Sequence, residues 1–309
     1  MLFTVWVILL VLSGVLIWAL LHERSMRDKA IGDRHGPGRP ARTPVLSPEE
    51  EALEARKTVL ESQLRQSVQK ERASDIHEAI EQLKAPDMSA RLEALDALNT
   101  LLQRSPNWEQ WNILNILQTH LENTFSEPAL GILGPDFPED FLGLLTVLSE
   151  RPEASWKRAS GTREKLRIRY LHTQSLRLKG LNLRAAEVSH CVFKDCDVEQ
   201  LDLYASTVTD TAFQGGNLRK ANVTGATFKQ CDFTDCDLRK TEWVSSTVEN
   251  CDFSNTCWSE ARLRGARFHN CSFKGADLRD AKGLTRQHLE HCELDKNTRL
   301  PAGLSHGLK

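Results

Sequence analysis

Residues 221–240 read ANVTGATFKQCDFTDCDLRK, and the chemistry of this stretch repeats every five residues. Val223, Phe228, Phe233 and Leu238 occupy the same place in successive repeats. A small residue stands two positions before each of them, and most of the other positions are polar. A period this short and this regular is typical of a chain that winds repeatedly around one axis.

The rhythm extends far beyond this stretch. Every fifth residue from Leu178 to Leu278 gives 21 positions, which hold seven Leu, seven Phe, five Val and two Trp. The column two residues earlier, from Leu176 to Ala276, holds only Ala, Cys, Leu, Thr, Ser or Gly. Alternate residues of a strand share one face, so both columns are predicted to point inward. The predicted core of this region includes Phe193, Phe213, Phe228, Phe233, Leu238, Phe253, Phe268, Phe273 and Leu278.

A strict alternation would not restart after five residues, so the chain must turn a corner in every repeat. Three residues per repeat then lie at or near the surface and two lie inside. Neighbouring coils hydrogen-bond as parallel strands, and each coil covers the next.

Ala276-Asp277-Leu278-Arg279-Asp280 and Cys231-Asp232-Phe233-Thr234-Asp235 resemble the pentapeptide-repeat family, whose pattern is a small residue, Asp or Asn, Leu or Phe, and two polar residues. The resemblance covers 105 residues without an insertion. It implies a right-handed parallel β-helix with four repeats per square coil, and hence about five coils stacked about 4.8 Å apart.

Upstream of the repeats, leucine and isoleucine recur at spacings of three and four residues, which predicts four short amphipathic helices in an antiparallel stack. Ser47-Pro48-Glu49-Glu50 predicts the start of a preceding helix, because Ser47 can cap it and Glu50 can complete a capping box. Leu53, Leu60, Leu64 and Val68 form a thin row of apolar residues on one face of that helix. Lys57 and Ser67 interrupt its heptad, so a coiled coil is left open there. The stretch from about residue 74 to 156 also resembles a module of bacterial pentapeptide-repeat membrane proteins, through Ala-Ile-Glu-Gln-Leu at 79–83 and Arg-Leu-Glu-Ala-Leu at 91–95.

The N-terminus predicts a transmembrane helix. Residues 2–21, LFTVWVILLVLSGVLIWALL, contain no charged side chain, and 20 residues of helix span about 30 Å, the thickness of a bilayer core. The alternative is a cleaved signal peptide, which requires a basic start and a small-residue cleavage site, and this segment has neither. The basic residues that follow the segment, Arg24, Arg27, Lys29, Arg34, Arg39 and Arg42, place the rest of the chain in the cytoplasm by the positive-inside rule.

The sequence therefore predicts an α+β multidomain chain anchored as a single-pass protein in the bacterial inner (plasma) membrane. We divide it into an anchor at 1–22, a basic Pro/Gly linker at 23–46, a helical stack at 47–160, the pentapeptide-repeat β-helix at 170–283, and a C-terminal capping helix and tail at 284–309.

Eight cysteines raise the question of a metal site. Six of them lie in the small-residue column, separated by five residues or a multiple of five, whereas zinc ligands lie two to four residues apart. We interpret them as packing residues and expect no metal, no cofactor and no catalytic residue. The His190-Cys191 pair does not suggest a thiol nucleophile, because the two side chains are expected to point in opposite directions.

Three residues depart from the pattern and form the candidate interaction surface. Trp243 and Trp258 are large for a narrow core, so either the coil swells around each indole or the ring swings outward to meet a partner. Cys257 lies one column away from the other cysteines and is expected to face solvent.

Charge separates the functional hypotheses. The chain has 40 Lys and Arg against 42 Asp and Glu, which argues against nucleic-acid binding. Residues 176–280 hold 15 acidic and 14 basic side chains, whereas a DNA mimic of the topoisomerase-binding pentapeptide class needs a strongly negative surface. The favoured hypothesis is a non-enzymatic, membrane-anchored scaffold for a cytoplasmic protein partner, with the DNA mimic as the alternative. A homodimer through the C-terminal helix is compatible with the resemblance.

Overall fold

A computed structural model describes residues 48–125, 138–152 and 165–304. The predicted anchor at 1–22 and linker at 23–46 lie outside these residues. Among the helices that are described, none is long and apolar enough to cross a membrane.

Four of the described helices precede the repeats. The predicted helix start after Ser47 and the amphipathic turn around Ile76 belong to one continuous helix of 35 residues. Asp87 caps the next helix by accepting a hydrogen bond from Ala90 N (3.1 Å). The helices are α1 (Pro48–Gln82), α2 (Met88–Arg104), α3 (Asn107–Phe125) and α4 (Glu139–Ser149).

Buried leucine, isoleucine and phenylalanine side chains hold α2, α3 and α4 together. Leu98, Leu117 and Leu144 are completely buried, one from each helix. Arg91 is half-buried and forms an ion pair with the buried Asp140 (2.6 Å), and it also donates to the carbonyls of Ala85 and Pro86. This arginine therefore ties the loop between α1 and α2 to the start of α4.

The repeats form a parallel β-solenoid of about six turns. Residues pair with partners 20 positions away, as in Val208 with Phe228 and Phe228 with Val248. Six strands form one sheet in the order β1-β3-β5-β6-β7-β8, and two smaller sheets pair β2 with β4 and β9 with β10. The strands are β1 (Arg167–Arg169), β2 (His172–Gln174), β3 (Glu187–Ser189), β4 (Val192–Lys194), β5 (Thr207–Thr209), β6 (Thr227–Lys229), β7 (Thr247–Glu249), β8 (Arg267–His269), β9 (Cys271–Ser272) and β10 (Cys292–Glu293).

The prediction of about five coils was too low, because the solenoid begins ten residues before the recognisable repeat and β10 continues it beyond the end of the repeat. Ile168 and Thr173 already occupy the central column and are buried. Thr173 is polar, which broke the pattern in the sequence. Its hydroxyl is satisfied inside the coil by donating to the carbonyl of Val192 (3.1 Å).

Two of every five residues point into the core, as the columns predicted. The nine predicted core residues are all buried. Five phenylalanines, one per coil, stack in a single file with ring centroids 4.9–5.3 Å apart: Phe193, Phe213, Phe233, Phe253 and Phe273.

Both ends of the solenoid are covered. At the C-terminal end, α5 (Arg286–Leu289) begins after Thr285, and its residues His288 and Leu289 are buried. The chain then adds β10, which pairs with β9 in parallel. At the N-terminal end, Gln118 of α3 accepts a hydrogen bond from the backbone of Arg167 in β1 (2.7 Å).

Candidate interaction surface

The two tryptophans are not part of any surface. Trp243 and Trp258 have no solvent-exposed area, so the expectation that they contribute to an interaction surface is corrected. Each indole N–H donates to a threonine hydroxyl two residues earlier in the chain, at 3.0 Å from Trp243 to Thr241 and at 2.8 Å from Trp258 to Thr256. A Thr two residues before each Trp was the sequence signal for a satisfied, buried indole.

The cysteines are free thiols. Cys257 is half-buried in an outward column, and the six cysteines of the small-residue column are buried. Burial raises the pKa of Cys191 and of Cys236 to about 12, so both thiols are protonated and poorly nucleophilic at neutral pH. Within the described ranges, no group of His, Cys, Asp or Glu is arranged to hold a metal ion.

A shallow cleft of about 330 Å³ lies beside Tyr170 and His190. The two rings stack with centroids 5.2 Å apart, and the imidazole is 3.9 Å from the carboxylate of Asp210. The neighbouring Cys191 thiol points inward and donates to the carbonyl of Ser189 (3.3 Å). Thiol and imidazole therefore do not form a catalytic pair.

One side of the solenoid is covered by charges that neutralise one another. Glu199 bridges Lys179 (2.8 Å) and Lys220 (2.9 Å), and these two ammonium groups lower the pKa of Glu199 to about 2. Asp237 and Arg239 pair in the same way on a later coil. Docking a partner here would require desolvation of ion pairs that already satisfy each other.

A different surface lies around the corner that leads into β5, β6 and β7. Nine outward residues on three successive coils carry no charge, and none of them is buried. The backbone sets them in register, since Thr207, Thr227 and Thr247 are aligned strand partners. We call this surface the corner patch: Tyr204, Ala205, Thr207, Thr224, Gly225, Thr227, Val244, Ser245 and Thr247.

Charged residues border the corner patch at both ends. On the N-terminal side, Arg184 lies over the Tyr204 ring (4.8 Å from guanidinium carbon to ring centre) and pairs with Asp202 (3.2 Å). On the C-terminal side, Arg264 and Arg267 are exposed, and among the described residues neither has an ion pair. Protein–protein interfaces are enriched in tyrosine and arginine and depleted of charge at their centres, and the corner patch shares these two features.

Comparison with known proteins places this region in a family. Residues 174–243 match the family model described as pentapeptide repeat region, and residues 249–282 match the model of pentapeptide repeats in eight copies. Together with the 20-residue coils, these matches show that this part of the chain is a pentapeptide-repeat β-solenoid.

Solved structures that match part of this chain include a pentapeptide repeat protein from the Arabidopsis thaliana thylakoid lumen. The match has 18% identity and a TM-score of 0.27, and it covers 37% of this chain and 72% of that chain. Full-length QnrB1, a plasmid-mediated fluoroquinolone resistance protein, has 15% identity, covers 44% of this chain and 85% of its own, and has a TM-score of 0.20. Rfr23 from the cyanobacterium Cyanothece 51142 has 23% identity, with 32% and 63% covered and a TM-score of 0.19. No curated protein sequence matched the chain.

Proposed function

We propose that this protein is a non-enzymatic scaffold, held at the cytoplasmic face of a bacterial plasma membrane by residues 2–21, and that its solenoid binds a cytoplasmic protein. The observation that carries the proposal is the corner patch, an uncharged surface continuous over three coils in a chain with 27% charged residues.

The solenoid suits a docking role because its surface is fixed by the core beneath it. Thr207, Thr227 and Thr247 alternate with buried Val208, Phe228 and Val248 in the middle of their strands. Little side-chain entropy is lost when a partner covers short Thr, Ser, Ala and Gly side chains, which favours binding.

The rim indicates the chemistry of the partner. Arg264 and Arg267 have no carboxylate partner among the described residues, so an acidic side chain on the bound protein could form an ion pair with each of them. The partner we propose presents a flat surface of uncharged side chains with Asp or Glu at one edge. Electrostatic complementarity of this kind mainly sets orientation and association rate.

The membrane location rests on the sequence alone. An apolar segment of 20 residues followed by six basic side chains is typical of a single anchor with a cytoplasmic C-terminal domain. Fractionation of cells should recover the full chain with the membranes. A chain without residues 1–22 should be recovered in the soluble fraction.

Site-specific photocrosslinking tests the docking surface. The full-length protein carries p-benzoylphenylalanine in place of Thr227 in the corner patch or, as a matched control, in place of Lys194 on a different face of the solenoid. We expect a discrete protein adduct from position 227 and none from position 194. The same adduct from both positions, or from neither, would refute the patch as the docking surface.

A pair of charge variants provides the second arm of this test. Val244→Glu introduces a carboxylate into the corner patch, whereas Lys194→Glu introduces the same side chain at an exposed position outside it. We expect Val244→Glu to abolish the adduct and Lys194→Glu to retain it, with circular dichroism spectra and melting temperatures unchanged in both. Retention of the adduct in Val244→Glu would count against the proposal.

A further inference from the structure

The exposed apolar side chains of this protein are concentrated on one helix. Seven large hydrophobic side chains are exposed among the described residues, and five of them lie in α1, with exposed fractions of 37–63%. They are Leu53, Val59, Leu60, Leu64 and Val68. The two others, Tyr170 and Tyr204, lie on the solenoid.

Four of the five line one side of α1. Leu53, Leu60 and Leu64 follow each other at spacings of seven and four residues, and Lys57 and Ser67 fill the remaining positions of the same line. The series 53, 57, 60, 64, 67 alternates steps of four and three, which is the a/d seam of a coiled coil. We call these five positions the apolar stripe. Val68 flanks the stripe, and Val59 lies on another side of the helix.

This part of α1 lacks the packing that normally stabilises a helix. Residues 51–71 are exposed with the single exception of Lys57, which is half-buried. Helices in water gain most of their stability from burying an apolar face. A helix with a continuous exposed seam therefore needs a partner along that seam.

We infer that the apolar stripe is the seam of a parallel, in-register coiled-coil dimer with a second copy of this chain. Flanking charges support the parallel orientation. In a parallel pair, Arg56 faces Glu61 of the second copy, and Lys70 faces Asp75 of the second copy. In an antiparallel pair the same flank would bring Glu54, Glu61 and Asp75 against one another, which is repulsive.

The chain before α1 also favours a second copy as the partner, provided that residues 2–21 are the membrane anchor of the proposed function. Two anchored copies enter the cytoplasm in the same direction, and linkers of equal length start both helices at the same distance from the membrane. Confinement to one membrane also raises the effective concentration of the second copy, so a short seam suffices.

A lipid surface is the other conceivable occupant, and the charges disfavour it. Residues 48–72 contain six acidic and five basic side chains. Helices that lie on anionic membranes carry an excess of Lys and Arg on the polar face.

Cysteine crosslinking tests the seam and its direction. Leu60→Cys places a thiol in the apolar stripe, and Val59→Cys places one next to it but off the seam. Because a disulfide requires Cβ atoms within about 4.5 Å, we expect about tenfold more covalent dimer from Leu60→Cys than from Val59→Cys when membranes holding the full chain are oxidised. The unsubstituted chain, which keeps its eight native cysteines, sets the background.

Two further substitutions should move the monomer–dimer equilibrium in opposite directions. Lys57→Leu removes the charge from the seam and should raise the dimer fraction of the purified protein in mild detergent. Leu60→Glu should abolish the dimer. Val59→Glu is the matched control off the seam and should leave the dimer intact. Equal crosslinking at 59 and 60, or none, would overturn the inference. So would crosslinks that join Leu53→Cys to Val68→Cys, which indicate an antiparallel pair.

These outcomes are separable from those of the scaffold proposal. The photocrosslink at position 227 reports the solenoid surface and should persist in Leu60→Glu. If the chain is recovered in the soluble fraction, the prediction of a membrane anchor is wrong. The Leu60→Cys and Val59→Cys variants are then oxidised as purified soluble proteins, and equal or absent crosslinking again overturns the coiled-coil seam.

Discussion

The corner residue of each repeat has the least usual backbone in this protein. Every fifth residue from Tyr170 to Gly275 has a positive φ, and most of these residues are not glycine. Such a conformation is costly for a residue with a Cβ atom. It persists because the N–H of the corner residue donates a hydrogen bond to the next coil, as in Asp235 N to Ser254 O (3.0 Å).

A substitution at Gly225 measures the free-energy cost of a positive φ separately from steric contacts. Its φ is +67°, and a Cβ added to it would have no heavy atom within 4 Å. We expect Gly225→Ala to lower the free energy of unfolding by about 1 kcal/mol through backbone strain alone. Gly303 is the control, because it has the same open surroundings without a positive φ. Chemical denaturation of both variants should show no comparable loss for Gly303→Ala.

Trp243 shows what the coil does with a large residue. The indole is completely buried and lies within 5.2–5.8 Å, between ring centroids, of Phe228, Phe233 and Phe253. We expect Trp243→Ala to lower the free energy of unfolding by roughly 3–5 kcal/mol, because it leaves a cavity and removes the indole donor from Thr241. Trp243→Phe should cost less. Similar losses for the two variants, measured by urea unfolding, would argue that the ring does not fill the core.

At this scale the sequence predicted burial well where hydrophobicity repeats. The central and small-residue columns identified which side chains point inward, down to the packing role of Cys231 and Cys271. It failed where a local contact satisfies a buried polar group: the hydroxyl of Thr173 donates to a backbone carbonyl, and the indole of Trp243 donates to the hydroxyl of Thr241. The corner patch was also missed, since it arises from residues 20 positions apart that align only after the chain coils.

Among the elements, the C-terminal cap depends on a histidine. His288 is 8% exposed, and its Nδ1 atom accepts a hydrogen bond from the backbone N–H of Thr285 (2.9 Å). Burial lowers the pKa of His288 below the ordinary value of 6.5. The unfolded cap therefore binds a proton more readily than the folded cap, and the stability of the cap falls as pH decreases through and below this ordinary value.

Hydrogen exchange measures this effect where it occurs. We expect α5 and β10 to exchange faster at about pH 5.5 than at about pH 7.5, after correction for intrinsic rates, because these values bracket the titration of an ordinary histidine. His288→Gln should remove most of this pH dependence, whereas His291→Gln, at an exposed position, should keep it. Equal pH dependence in the two variants would exclude His288 as the titrating group.

For the helices, the apolar pattern of the sequence predicts which residues are buried but not where every helix begins and ends. Leu98, Leu117 and Leu144 each belong to a series of apolar residues at spacings of three and four, so their helices and their burial follow from the sequence. The continuity of α1 through residues 69–75 does not, because that stretch is polar and carries no periodicity. The strand β10 was missed as well, since the chain returns to the solenoid after α5 without a repeat.

At the scale of the whole molecule, α3 and α4 cover the first coil of the solenoid, where an edge strand would otherwise be left open. Arg151 follows α4 and is 4% exposed. Its guanidinium donates to the carbonyls of Leu148 (2.9 Å) and Asn182 (3.0 Å) and also to that of Arg184. The hydroxyl of Ser149, at the end of α4, accepts a hydrogen bond from Asn182 N (2.7 Å), so Ser149 and Arg151 together pair with a donor and two acceptors of the coil.

Arg151 should therefore control whether the helices and the solenoid unfold together. Burial lowers its pKa to about 10, so the side chain is still charged at neutral pH, and its removal leaves three backbone carbonyls without this donor. We expect Arg151→Met to lower the free energy of unfolding by roughly 2–4 kcal/mol, since each buried polar group left unpaired costs about 1–3 kcal/mol. Arg151→Lys should restore little of this loss, because one ammonium group cannot reproduce the planar fork that reaches α4 and two residues of the coil.

Calorimetry tests whether Arg151 couples the unfolding of the helices to that of the solenoid or only stabilises the protein as any buried contact does. If Arg151 couples the helices to the solenoid, Arg151→Met should split a single melting transition into two. We expect α2, α3 and α4 to melt first, because the substitution weakens their contact with the coil and leaves the stacked phenylalanines of the solenoid in place. Leu98→Ala is the control: it removes a completely buried side chain from the helical core and leaves the Arg151 contacts intact. It should lower the melting temperature without separating the transitions. A single transition in both variants would mean that the remaining contacts, Gln118 with β1 and Ser149 with Asn182, are sufficient to keep the two regions cooperative.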